Sequence, residues 1–425
     1  MPQLTIDDQT SRLPRIWLLV SLINLFLAAC LGAILRFVFV TEIPGVSYTH
    51  FMHAHSHTAM LGWLYLALFA LMIRFYLPNE EGVYRRYNRL FWLTQLSVFG
   101  MLVSFIYQSY GPVSIAFSSL HGILSYIFVY KFWRDLGKPS PANRISFKFA
   151  KASMFFLILS TLTLWAMPIV IIIGESRSAL YYASVQFYLH FQFNGWFIFG
   201  ILGLLFYFLE SKSVSFSEKG ANLFFRLLVI SCLLTYVLAV TWSNPIQALF
   251  YINSAGVIIQ LAALVIFISV LWPVLPEIKK HFSGITFTLI GVSGICFLAK
   301  ILIQSAVIIP SIAQVGYTIR NYVLGFLHLM LLGMVSCFLL AFSAQNGLFK
   351  YSSSSTRIGI WLFLIGFVGS EGYLFLQGTM FWAALGFLPY YYEGLAIISA
   401  FIPIGVLFMI FPQLGHGGKE SVSIP

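Results

Sequence analysis

Three stretches of this chain place a histidine five residues before a glycine and a bulky side chain, each within a long apolar run. They are His57 with Gly62 and Trp63, His190 with Gly195 and Trp196, and His328 with Gly333 and Met334. The three recur at nearly even intervals. Polar groups are costly inside a bilayer and tend to be functional there, and imidazole is the commonest metal ligand. The pattern therefore points to a membrane protein of three similar blocks, each offering one imidazole to a metal, with haem iron the first expectation.

The elements that must carry these residues follow from composition. Of 425 residues, 60% are hydrophobic and only 9% charged, which excludes an ordinary soluble fold. A helix needs about 20 apolar residues to cross the hydrocarbon. Twelve such runs are present, near 16–40, 50–77, 90–109, 113–133, 152–174, 180–209, 223–242, 246–273, 284–309, 320–344, 358–378 and 384–412. The expected fold is all-α and integral to the membrane: one domain over 1–425, with twelve transmembrane helices in three pseudo-repeated four-helix arcs over roughly 16–133, 152–273 and 284–412.

The net charge of +11 raises the question of nucleic acid, but the cations sit in short loops after even-numbered spans. Arg85, Arg86, Arg89, Arg134, Lys138, Arg144, Lys148, Lys212, Lys219, Lys279, Lys280, Lys350 and Arg357 all lie there, with Arg177 the main exception. That bias places both termini in the cytoplasm and makes the lipid bilayer, not nucleic acid, the expected partner. Residues 1–15 lack a signal-peptide pattern, so the first run is expected to stay as a helix. The cysteines Cys30, Cys232, Cys296 and Cys337 are isolated, with no zinc pair, no covalent haem motif and no disulfide framework.

With this orientation His57, His121, His190 and His328 fall about 12–15 Å below the outer surface, at roughly 1.5 Å of rise per residue. His50, His53 and His57 share one helical face, and His55 points elsewhere. His53 and His57, four apart, could share one ion. His281 and His416 fall in cytoplasmic segments and read as ordinary surface residues. Arg36 and Arg320, with Lys300, lie at outer helix ends or within spans, where they could pair with buried carboxylates such as haem propionates. Glu371 and Glu393 are the acidic candidates on the same side.

Twelve spans in three arcs, with histidines near the outer ends of spans 2, 6 and 10, resemble subunit I of the haem-copper oxidase superfamily, and within it the nitric oxide reductase large subunit. The resemblance covers the whole helical core through short motifs. It implies that His57, in HTAMLGWLYL, and His328, in FLHLMLLGM, are the axial ligands of a low-spin haem b. It matches His190 to a copper or non-haem iron ligand. Where the family carries the ligand of its catalytic haem, this chain has Phe326. Where it carries a tyrosine or glutamate after the span 6 histidine, this chain has Asn194. The family's paired histidines of span 7 should fall near Thr241, Trp242 and Ser243, and are absent.

The resemblance therefore implies a surviving low-spin haem beside a degenerate dinuclear centre, in respiratory electron transfer or gas handling, in a bacterial inner membrane. An alternative is a divergent oxygen or nitric oxide reductase, in which His190, His121 and His53 or His55 converge on copper or non-haem iron. A second alternative is a metal-free transporter. An electron donor would have to be a separate subunit. The apolar cytoplasmic halves of the spans argue against proton pumping.

Overall fold

The computed structural model describes residues 6–136, 144–174, 178–241, 246–282 and 284–414. Lys138, Arg177, Trp242, Ser243 and His416 lie outside the described residues. The described residues are helical, without strands. Among the described residues, twelve helices are long and apolar enough to cross a membrane: Arg12–Phe37, Tyr48–Tyr76, Glu81–Gln108, Pro112–Leu136, Ile145–Ile172, Ala179–Ser211, Glu218–Leu238, Gln247–His281, Gly284–Ala306, Arg320–Gln345, Ser354–Trp382 and Tyr391–Leu414. They are spans 1 to 12. Only helices satisfy every backbone amide within one apolar segment, which is why hydropathy finds them so well.

Span ends depart from the apolar windows for local reasons. Span 3 starts at Glu81, well before its apolar stretch, where Arg85 and Glu81 form an ion pair of 2.7 Å one turn apart. Span 11 starts on Ser353, whose side chain accepts from the Thr356 amide at 3.1 Å. Between spans 9 and 10 lies a short helix, Pro310–Thr318, opened by its proline.

Packing sorts the spans into two layers. In their most apolar windows, spans 2 and 6 are 83% buried and span 10 is 61% buried, against 50% or less for the rest. Spans 2, 6 and 10 touch one another at the centre, and span 1 packs against span 12 to close the outer ring. Gly359 and Gly405 face each other where spans 11 and 12 cross, and a Cβ on either would run into the other's carbonyl. Large apolar side chains such as Ile172, Leu96, Ile295 and Ile397 stand outward, as lipid-facing surfaces do. This is the architecture of an integral membrane protein.

The three inner spans share an irregularity. Each changes from α- to π-helix at the residue after its histidine: Thr58–Tyr65 after His57, Phe191–Phe197 after His190, and Leu329–Ser336 after His328. A π-turn closes its bonds five residues apart, the same interval as histidine to glycine here. In each case the preceding span donates a side-chain hydrogen bond to the widened turn. Asn24 of span 1 donates to Gly62 O at 3.0 Å, Ser153 of span 5 to Trp196 O at 3.2 Å, and Ser293 of span 9 to Met334 O at 2.7 Å.

Candidate cofactor site

One chamber gathers residues from spans 1, 2, 10, 11 and 12. Its imidazoles are those of His55 and His328. Span 1 supplies a wall of small residues, Ala28, Ala29, Gly32 and Ala33. That wall lets His55 come close: a Cβ at Gly32 would sit 2.9 Å from His55 Cε1. The chamber measures about 130 Å³. It adjoins a second, of about 200 Å³, lined by aromatic residues including Phe387, Tyr391 and Tyr392. Arg36, Tyr48, Arg320 and Leu324 line both.

The two imidazoles both turn Nδ1 towards an oxygen, but only His55 is hydrogen-bonded there. His55 Nδ1 lies 2.7 Å from Ala28 O, which makes it the donor nitrogen and leaves Nε2 with its lone pair. His328 Nδ1 lies 3.5 Å from Glu371 Oε1, a longer contact of the same sense. An imidazole whose Nδ1 faces a carbonyl or carboxylate while Nε2 stays available is the usual posture of a metal ligand. Arg36 and Arg320 have no ion-pair partner among the described residues. Arg320 donates to Tyr48 OH at 3.0 Å and stacks its guanidinium over that ring, 5.6 Å from the centroid. Two unneutralised cations at the mouth of a histidine-lined chamber suit a ligand with two carboxylates.

The expectation paired His57 with His328, whereas the chamber is lined by His55 and His328. Two positions along an α-helix turn a side chain by roughly 200°. His57 therefore faces away from the chamber, against Phe105 with ring centroids 4.3 Å apart. Its Nδ1 bonds back to His53 O at 2.9 Å, and its Nε2 lies 3.4 Å from Tyr110 OH. The helical rotation that removes His57 brings in His55.

The residues expected to form a second metal site stand apart. Among the described residues, no three His, Cys, Asp or Glu side chains come together in a group that could hold an ion. His53 packs on Tyr110, with centroids 4.6 Å apart. His121 meets Tyr65 edge-on at 4.7 Å, and His190 Nε2 donates to Cys232 O at 2.8 Å. These rings have different neighbours, and Nε2 of His121 is buried without a hydrogen-bond partner. His50 bonds Ile106 O at 3.0 Å. Lys300 is buried in span 9 and lines neither chamber, and Glu393 is exposed.

Glu371 is the residue whose place sequence spacing could not give. It is 7% exposed, and neither carboxyl oxygen is hydrogen-bonded. The small residues of span 1, four apart at Ala28 and Gly32, were the available signal for close helix approach, and hence for His55. Compared with known proteins, the chain matches no family model and no curated protein.

Proposed function

We propose that this chain is a haem b-binding membrane protein of the haem-copper oxidase subunit I fold, with the standard dinuclear centre degenerate. The observation that carries the reading is the shared chamber of His55, His328, Arg36 and Arg320. His55 and His328 would hold the iron through Nε2, and Arg36 and Arg320 would bind the propionates. Bound in this way, a bis-histidine haem supplies reversible one-electron transfer. The chain's own residues fix the conditions. Ala28 O would hold the His55 tautomer, Glu371 lies 3.5 Å behind Nδ1 of His328, and Leu25, Leu332 and Ile402 give the chamber an apolar lining. The donor set fits the group.

The three-arc arrangement belongs to the same reading. The three π-turns, each braced by the span before it, support blocks of spans 1–4, 5–8 and 9–12. The loop cations support cytoplasmic termini, and a bacterial inner membrane belongs to the same reading through the family resemblance. Phe326, Asn194 and the separation of His190 from His121 and His53 favour electron transfer or gas handling without a second redox metal. The donor of electrons would be a separate subunit.

The test is haem content. Protein purified from membranes should carry about one haem b per chain, with no copper or non-haem iron in proportion. A preparation without haem, retaining transport of a solute, would favour the metal-free transporter instead.

A further inference from the structure

An apolar groove of about 350 Å³ lies between spans 6, 8, 9 and 10, towards the ends that carry the loop cations. It shares no residue with the chambers of His55 and His328. The sequences of spans 8 and 9 make the space. Span 8 leaves the α-helix for a 3₁₀ turn at Trp272–Val274 and restarts at Leu275–His281, with Pro273 and Pro276 at the two junctions. A proline has no amide to donate, so the helical ladder breaks there. Leu271, Leu275 and Ile278 line the groove along this broken stretch. Span 9 lines it with Gly291 and Gly294, and a Cβ on either would meet nothing within 4 Å.

The groove is open towards lipid, with Gly294 and Ile295 exposed at its edge. On span 9 it runs from Phe287 to Leu298. That is about 16 Å at roughly 1.5 Å of rise per residue, or half of the roughly 30 Å hydrocarbon. The groove is therefore as deep as one leaflet. Its mouth is cationic: Nζ of Lys279 stands 6.0 Å from the centroid of the Phe287 ring. Lys280 is taken by Glu277 at 2.6 Å, whereas Lys279 has no ion-pair partner among the described residues.

An occupant must be apolar through the depth of a leaflet and negative at the end beside Lys279. An acyl chain meets the first demand and an anionic head group the second, and basic pockets between membrane helices recognise such head groups. We propose that the groove holds one anionic phospholipid, an acyl chain against Gly291 and Gly294 and the phosphate at Lys279. The bound chain would cover the brace of the span 10 π-turn, because Ser293 and Met334, joined by the 2.7 Å bond to Met334 O, both line the groove. The site does not depend on haem.

The test uses the full chain, delipidated in detergent, with native mass spectrometry counting the lipids that stay bound. The probes are dioleoyl phosphatidylglycerol and dioleoyl phosphatidylcholine, which differ only in head group. One phosphatidylglycerol per chain should bind saturably, at least fivefold more tightly than phosphatidylcholine. Lys279→Gln should erase that preference and leave phosphatidylcholine as it was. Gly291→Leu, whose side chain enters open space, should weaken both lipids at least tenfold with a lipid-free melting temperature no lower than native. Glycerol 3-phosphate, the head group without chains, should not displace the lipid. Equal binding of the two lipids, or binding that never saturates, overturns the proposal on unaltered protein, whatever the variants do. A preference that survives Lys279→Gln, tight binding by a folded Gly291→Leu, or displacement by glycerol 3-phosphate also overturns it.

Discussion

Nδ1 of His328 faces Oε1 of Glu371 at 3.5 Å, and neither oxygen of that buried carboxyl has a hydrogen-bond partner. A carboxylate behind a ligating imidazole orients the ring and raises its basicity. Glu371→Leu should therefore lower cofactor retention by roughly 10–100-fold and raise the reduction potential of what remains. Glu371→Gln, which keeps an acceptor, should recover most of the retention. Cofactor titration and potentiometry on both variants read the effect, and an unchanged potential in Glu371→Leu would remove Glu371 from the site.

Gly32 gives a steric test of His55. A Cβ there would meet His55 Cε1 at 2.9 Å, in a wall that cannot retreat far from its neighbours. Gly32→Val should push the ring away and convert a six-coordinate spectrum to a five-coordinate one. The overpacking should also cost about 1–3 kcal/mol of stability, read as a lower melting temperature. A variant that keeps the native spectrum would show that His55 is not held against span 1.

The spans were legible because lipid leaves a chain so little choice. Hydropathy and loop charge suffice to find all twelve, including span 2 with its four histidines. Which of those histidines meets span 10 is a different kind of fact. It depends on the rotation of span 2 about its axis, and that is fixed by the approach of Gly32 and Ala28, one helix away. Spacing within span 2 separates His55 from the face of His50, His53 and His57, but does not say which face turns inward. The histidine-to-glycine interval, by contrast, did carry a structural meaning. It marks where three π-turns begin, and their bracing by Asn24, Ser153 and Ser293 lies far off in sequence.

Trp63 Nε1 donates to Ser336 Oγ at 2.7 Å, and so ties the π-turn of span 2 to that of span 10. The bond is buried, and Ser336 is itself anchored to Leu331 O at 2.7 Å. Trp63→Phe should destabilise the fold by about 1–3 kcal/mol, with a lower melting temperature in detergent. Because the bond ties together the helices that carry His55 and His328, cofactor retention should fall as well. A stable variant with full retention would show that the helices keep register without it.

The arginines should differ in weight. Arg36 is half-buried and Arg320 exposed, so water screens the second more. Arg36→Gln should weaken cofactor binding by about 1.5–3 kcal/mol, the range for hydrogen bonds to charged groups, and Arg320→Gln by less. Retention during gel filtration, compared at low and high salt, ranks them, and equal loss in both would contradict the argument from burial.

The most direct measurement is a reduced-minus-oxidised optical spectrum of the purified protein and three variants. A sharp low-spin b-type band is predicted in the native protein and in His57→Ala. It should vanish, or turn high-spin, in His55→Ala and in His328→Ala. A band lost in His57→Ala and kept in His55→Ala would contradict the account, as would native protein with no band at all.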